Sequence, residues 1–257
     1  MERKRVAFIF GTRPEAIKLC PLILGMKNHA GLQPHVCVTG QHHEMLYQVL
    51  DAFGVKPDID LSLMRPNQTL ADLTARAIGS IDHYLTANRP DLVIIQGDTT
   101  TVLTAALTAF YHRLPIGQVE AGLRTWNRYS PYPEEMNRVL TSRLADLHFA
   151  PTETSKKNLL KEGVKENRIF VTGNTVIDAL LLAIERIKAN PPKVDGLPEM
   201  LQPAAADSAT RKIVLITGHR RENFGKGFED ICHAIVQLAH DFPKVHFVYP
   251  VHLNPNV

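Results

Sequence analysis

Residues 91–119 read Asp-Leu-Val-Ile-Ile-Gln-Gly-Asp-Thr-Thr-Thr-Val-Leu-Thr-Ala-Ala-Leu-Thr-Ala-Phe-Tyr-His-Arg-Leu-Pro-Ile-Gly-Gln-Val. Leu92 to Ile95, with Gln96 at the end, is an unbroken apolar run of the kind found in strands buried on both faces of a parallel sheet. Gly97-Asp98 is a turn, and Thr99 to His112 follows with Val102, Ala105, Ala106, Ala109 and Phe110 at helical spacing. Ile116 to Val119 is the next strand. Parallel neighbours must be joined by a crossover, so this strand–helix–strand unit predicts an α/β sheet.

The same alternation extends outward in both directions. Toward the N-terminus, Val6 to Phe10 is a second continuous apolar run, followed by a helix from near Pro14 that Pro21 is expected to kink or interrupt. A strand at His35–Thr39, a helix over Glu44–Phe53, a weaker strand near Ile59–Leu63 and a long helix over Thr69–Ala87 come next. Toward the C-terminus come a strand at Leu147–Ala150, a helix after Thr152 and a strand at Ile169–Thr172. Between Asn190 and Thr210 fall four of the chain's 17 prolines, together with Ala204-Ala205-Ala206. That shift predicts an N-terminal Rossmann-like domain over 1–190, a Pro-rich linker over 191–210 and the start of a second Rossmann-like domain over 211–257. In this last piece Lys212–Thr217 and Val245–Tyr249 read as strands and Gly227–Asp241 as a helix.

Composition narrows the function. The 257 residues carry 29 Lys and Arg against 26 Asp and Glu, a net charge of +3, with 44% hydrophobic and 21% charged residues. These values fit a folded globular protein and exclude disorder, and so small and interleaved a charge gives no footprint for nucleic acid. Cys20, Cys37 and Cys232 are odd in number and far apart, which argues against a disulfide framework or a structural zinc site. The run Val6–Phe10 is too short for an export signal, and the uncharged stretch around Thr99–Tyr111 is too short and Thr-rich to span a bilayer. A cytoplasmic protein with no membrane partner is expected. No His, Cys or Asp spacing resembles a metal site, and neither G-x-G-x-x-G nor a Walker loop occurs, so the usual metal, nicotinamide and Walker-type phosphate signatures are missing.

Ligands of open α/β sheets bind beyond the carboxyl ends of the strands. After the first strand, Gly11 would let a ligand approach the backbone, a helix N-terminus favours anions, and Arg13 and Lys18 add positive charge. Asp98 follows the Leu92–Gln96 strand; it is either a reactive acid or an N-cap of the Thr-rich helix. Glu120 directly follows Ile116–Val119 with Gly122 two positions on, which capping alone does not explain. Glu134 and Glu135 open a helix after Pro133, where acids suit the helix dipole whatever their use. After the Pro-rich stretch, His219 and the arginines Arg220 and Arg221 follow a strand, a titratable group beside cations suited to phosphate. Three carboxylates, a histidine and several cations at strand ends suggest proton abstraction and return on a phosphate-bearing ligand.

Those motifs occur as an ordered series: Gly11-Thr-Arg-Pro-Glu-Ala-Ile-Lys18, Thr39-Gly-Gln-His42, Gln96-Gly-Asp-Thr-Thr-Thr101, Val119-Glu-Ala-Gly-Leu-Arg-Thr125, Ser130-Pro-Tyr-Pro-Glu-Glu135, Thr172-Gly-Asn-Thr-Val-Ile-Asp178, Thr217-Gly-His-Arg-Arg-Glu222 and Tyr249-Pro-Val-His-Leu-Asn-Pro-Asn-Val257. From end to end the chain resembles the bacterial non-hydrolysing UDP-N-acetylglucosamine 2-epimerases. The resemblance implies a GT-B arrangement of two Rossmann-like domains, and interconversion of UDP-GlcNAc and UDP-ManNAc without a cofactor. The C2 proton is lost with elimination of UDP to a glycal, and both are then re-added.

By the same resemblance Asp98, Glu120 and Glu134 match catalytic acids, with the C2 base unassigned among them. His219 matches a histidine near the diphosphate, and Arg13 and Lys18 match substrate contacts. Gln41, His42, Glu44 and Arg220 fall in segments matching a second, activating UDP-GlcNAc site, and a homodimer is usual in the family. Family members continue past the Asn-Pro-Asn-Val segment, so a truncated second domain, unstable by itself, is expected. A GT-B glycosyltransferase and a non-catalytic domain fragment are the competing readings.

Overall fold

A computed structural model describes residues 3–40, 43–204, 211–217 and 226–250. The chain forms two compact units, Met1–Glu185 and Arg186–Val257. The first is built on seven parallel strands: β1 (Lys4–Phe10), β2 (Leu32–Val38), β3 (Ile59–Asp60), β4 (Leu92–Gln96), β5 (Ile116–Val119), β6 (Leu147–Ala150) and β7 (Ile169–Val171). Their spatial order is β3-β2-β1-β4-β5-β6-β7. The chain therefore moves outward from β1 to β3, returns, and moves the opposite way from β4 to β7. The register is set along the central strand, where Phe8 pairs with Val36 on one side and Ile94 on the other.

Successive side chains of a strand face opposite sides of the sheet. Val6, Phe8 and Phe10 enter one apolar layer with α1 (Arg13–Lys27), α2 (His43–Ala52) and α7 (Thr175–Ala189). Ala7 and Ile9 enter the other with α3 (Leu70–Asn88) and α4 (Thr100–Tyr111). Both layers exclude water from the strand, so Val6 to Phe10 are all at most 1% exposed. Each large side chain buried this way contributes about 1.5–3 kcal/mol. The doubly wound α/β fold is thus a consequence of the apolar runs. A smaller cluster of Ala121, Ala150, Leu159 and Ile169 joins α6 (Glu153–Lys161) to the far end of the sheet, beyond α5 (Glu134–Leu144).

Two local expectations are corrected. Helix α1 is not interrupted at Pro21 but continues to Lys27. Leu19, Cys20 and Ile23 on either side of the proline are fully buried, and that packing offsets the missing backbone donor. The strand expected over Ile59–Leu63 shrinks to Ile59–Asp60, although the Leu61 and Leu63 amides still donate to Val38 and Thr39 carbonyls. Helix α4 buries Thr100, Thr101, Thr104 and Thr108. The Thr104 and Thr108 hydroxyls donate to the carbonyls of Thr100 and Thr104 at 2.8 and 2.7 Å, so these polar groups enter the core satisfied.

The second unit, as described, has two parallel strands, β8 (Lys212–Leu215) and β9 (Val245–Val248), and helix α8 (Lys226–Asp241). Val214 is 42% and Leu215 64% exposed, and neither strand nor helix holds a buried residue. Two strands and one helix cannot cover both faces of a parallel sheet. Among the described residues no helix is long and apolar enough to cross a membrane.

On β6, His148 is 1% exposed and burial pulls its imidazole down from 6.5 to about 4. Between these values the unfolded chain binds a proton that the folded chain refuses. Stability is therefore full above pH 6.5 and is lost as pH falls toward 4. Urea unfolding at pH 7 and pH 4.5 should show the wild type losing on the order of 2–3 kcal/mol more than His148→Gln across that interval.

Candidate active site

The order reversal between β1 and β4 is a topological switch point, where the loops leaving the two strands diverge and open a crevice. The β1–α1 loop and the β4–α4 loop meet there. Thr12 is the N-cap of α1 and Pro14 lies in its first turn. The amides of Gly11 and Thr12, expected to face a ligand anion, are already occupied. Both donate to Glu15 Oε2, at 2.7 and 2.8 Å. Glu15 Oε1 accepts from the Thr99 hydroxyl at 2.5 Å. The carboxylate is 2% exposed, and burial raises its proton affinity against the pull of these hydrogen bonds. The position that holds pyrophosphate in dinucleotide-binding folds is thus filled by a side chain of the protein. Only the side chains of this segment are left to meet a ligand. Arg13 is exposed and pairs with no described residue, while Lys18, further along α1, turns inward.

Lys18 reaches the end of β5. Its Nζ lies 2.6 Å from both oxygens of Glu120. Glu120 sits at φ +62°, a left-handed conformation that ends the strand and turns the side chain into the site. Gln96 Nε2, at the end of β4, donates to its Oε2 at 2.6 Å. Asn174 Nδ2, just after β7, donates to Oε1 at 3.2 Å. Glu120 is therefore gripped from β4, α1 and the β7–α7 turn at once.

Asp98 is not the cap of α4. That place belongs to Thr99, whose hydroxyl accepts from the Val102 amide at 3.4 Å. The Asp98 carboxylate instead accepts from Arg138 Nη2 at 2.6 Å, and its backbone carbonyl from Asn137 Nδ2 at 2.9 Å. Burial pushes the Asp98 carboxyl above its usual range; Arg138 opposes this, Glu134 and Glu120 add to it, and Lys18 opposes it. The charges of the other two predicted acids are thus felt at the Asp98 carboxyl group. Glu134, the first residue of α5, is half-buried and pairs with no described residue. Its neighbour Glu135 is structural: it accepts from the Thr125 and Trp126 amides at 3.0 Å and faces Arg138 at 3.6 Å. Arg124 is structural too, buried against Glu162 at 2.7 and 2.8 Å.

Asp98, Glu120, Glu134 and Lys18 are accordingly brought together, with Arg13 on the same β1–α1 connection. Glu44 lies exposed in the first turn of α2, beyond the end of β2. Gln41, His42, His219 and Arg220 lie outside the described residues. Sequence reading missed Gln96, Asn174 and Arg138. Each had a signal: Gln96 is the polar end of an apolar run, Asn174 follows a strand and Gly173, and Arg138 lies one helical turn from Glu134.

A Rossmann-like sheet with clustered carboxylates and cations at its switch-point edge defines a doubly wound α/β protein with a charged crevice. A family model described as UDP-N-acetylglucosamine 2-epimerase matches residues 25–257. A UDP-N-acetylglucosamine 2-epimerase of Yersinia pestis is 53% identical over 98% of the chain. The chain spans 66% of that relative's length. The crystal structure of the Neisseria meningitidis UDP-GlcNAc 2-epimerase bound to UDP-GlcNAc superposes with TM-score 0.85 at 49% identity, covering 98% of this chain and 67% of that one. The Methanocaldococcus jannaschii enzyme in complex with UDP-GlcNAc and UDP gives 0.76 at 32% identity, covering 98% and 67%. The chain belongs to the UDP-N-acetylglucosamine 2-epimerase family.

Gly122, two residues beyond Glu120, has φ +89°, and a Cβ there would sit 2.3 Å from the Ser155 carbonyl oxygen. Neither the backbone angle nor the α6 backbone can yield cheaply. Gly122→Ala should cost about 2–4 kcal/mol in urea unfolding. An unchanged midpoint would show that this loop does not depend on the close approach.

Proposed function

We propose that the chain carries the acid–base half of an enzyme that interconverts UDP-GlcNAc and UDP-ManNAc. The observation that carries the reading is the grouping of Asp98, Glu120 and Glu134 with Lys18 and Arg138 at one sheet edge. Removing a proton from C2 of a sugar demands a carboxylate whose proton affinity is above the ordinary range, and Asp98 has that property. Expulsion of UDP across the C1–O bond develops negative charge on the leaving diphosphate, which calls for cations. Arg13 supplies one from α1, and His219 is proposed to lie near the diphosphate as well. Glu120, held by Lys18, Gln96 and Asn174, is suited to a fixed orientation against the substrate. Glu134, unpaired among the described residues and close enough for its charge to act on Asp98, is proposed as the partner in proton exchange. Return of the proton to the opposite face of C2 and re-addition of UDP complete the epimerisation.

We further propose a cytoplasmic homodimer that feeds surface-polysaccharide precursors, with Gln41, His42, Glu44 and Arg220 lining a second UDP-GlcNAc site. Family membership supports both readings. Gln41→Ala should abolish activation by UDP-GlcNAc, and an unaltered substrate dependence would remove these residues from that role.

Incubation with UDP-GlcNAc in D2O should place deuterium at C2 in both UDP-GlcNAc and UDP-ManNAc. Asp98→Asn, Glu120→Gln and Glu134→Gln should each slow this by about 10²- to 10⁴-fold. Acceptor-dependent UDP release without deuterium at C2 would overturn the reading in favour of glycosyl transfer. Arg138→Gln removes a cation that favours ionised Asp98, so the acid limb of the pH–rate profile should move to higher pH.

A further inference from the structure

The proposed chemistry uses Lys18 on α1 and Asp98 at the end of β4, two groups on separate loops that diverge at the switch point. Nothing in the sheet itself fixes one loop to the other, because β1 and β4 pair only through Val6–Phe8 and Leu92–Ile94. Beyond that register Lys18 and Gln96 meet through Glu120, and the two loops themselves are joined directly by one side chain, Glu15. Glu15 Oε2 gathers the Gly11 and Thr12 amides of the first loop, and its Oε1 takes the hydroxyl of Thr99, the residue after Asp98. Glu15 lies one turn before Lys18 on the same helix. A second link, between the hydroxyls of Thr39 and Thr101 at 3.0 Å, ties the end of β2 to α4 but touches neither Gly11 nor Thr12.

We propose that Glu15 is a positioning residue that locks the β1–α1 loop to the β4–α4 loop, so that Lys18 and Asp98 keep a fixed separation during catalysis. A carboxylate suits this place because it offers two oxygens to the donors of Gly11, Thr12 and Thr99 and repels an anionic ligand from the loop amides it occupies. The diphosphate is thereby directed to the exposed side chains of the cleft. Glu15 itself is only 2% exposed. The cost of keeping it there, a carboxylate taken from water, is offset by its hydrogen bonds from Gly11, Thr12 and Thr99 and by the α1 N-terminus.

This inference rests on the proposed epimerisation, and its test separates the two. Thr99→Val breaks the link from the side opposite Glu15, so it does not depend on Glu15→Ala folding. In D2O, Thr99→Val and Glu15→Ala should each lower kcat for C2 exchange about 10- to 100-fold. KM should change far less, the double variant should be no slower than the slower single one, and Thr99→Ser should restore the rate lost in Thr99→Val. Independently of turnover, amide hydrogen exchange at Gly11 and Thr12 should quicken in Thr99→Val, although Thr99 contacts neither amide. Unchanged exchange at these amides, or multiplicative loss in the double variant, would overturn the proposal. If the wild type itself placed no deuterium at C2, the substrate reading would fall while amide exchange still decided the role of Glu15.

Discussion

The reversal of strand order between β1 and β4 is the constraint on which the site depends. Strands buried on both faces force the crossover helices onto alternate sides, and the two halves of the sheet must then wind in opposite directions from the centre. The loops leaving β1 and β4 separate, and a crevice opens at their carboxyl ends. In dinucleotide-binding relatives of this architecture the helix N-terminus at that crevice holds a phosphate. Here Glu15 holds it from within. The fold's ready-made anion site becomes a fastening, and the recognition of ligand charge passes to side chains.

Those side chains are arranged as pairs. Lys18 meets Glu120 and Arg138 meets Asp98, each at 2.6 Å, across 102 and 40 residues of sequence. Partly buried pairs of this kind add little net stability, because desolvation cancels much of the attraction. They confer geometry. Helix α5 illustrates it: Glu134 and Arg138 lie one turn apart, so a single rigid element presents a carboxylate and the cation that restrains its neighbour Asp98. Glu135, on another face of the same helix, holds the Thr125–Trp126 segment and so steadies the chain that follows Glu120.

Much of this was legible from local pattern. The runs Val6–Phe10 and Leu92–Gln96 announced buried parallel strands, since only a sheet covered on both faces has no polar side to display. Reading the residue after each run then located Asp98 and Glu120. Pro21 misleads as to an interruption, because a break inferred from one missing donor takes no account of the buried neighbours that hold the helix together. The Gly11–Arg13 loop misled in a second way. Its amides were rightly identified as an anion-binding position, but the anion is four residues downstream in the same chain.

Sequence by itself determined the layers, the strand ends and the kinds of charge gathered at them, because apolar periodicity and turn residues act over a few positions. Tertiary structure alone decided the partners. That Gln96 and Asn174 share Glu120, and that Glu15 bridges two loops, depend on strand order and register. These bring together residues tens of positions apart, and no local pattern encodes a distance across the sheet.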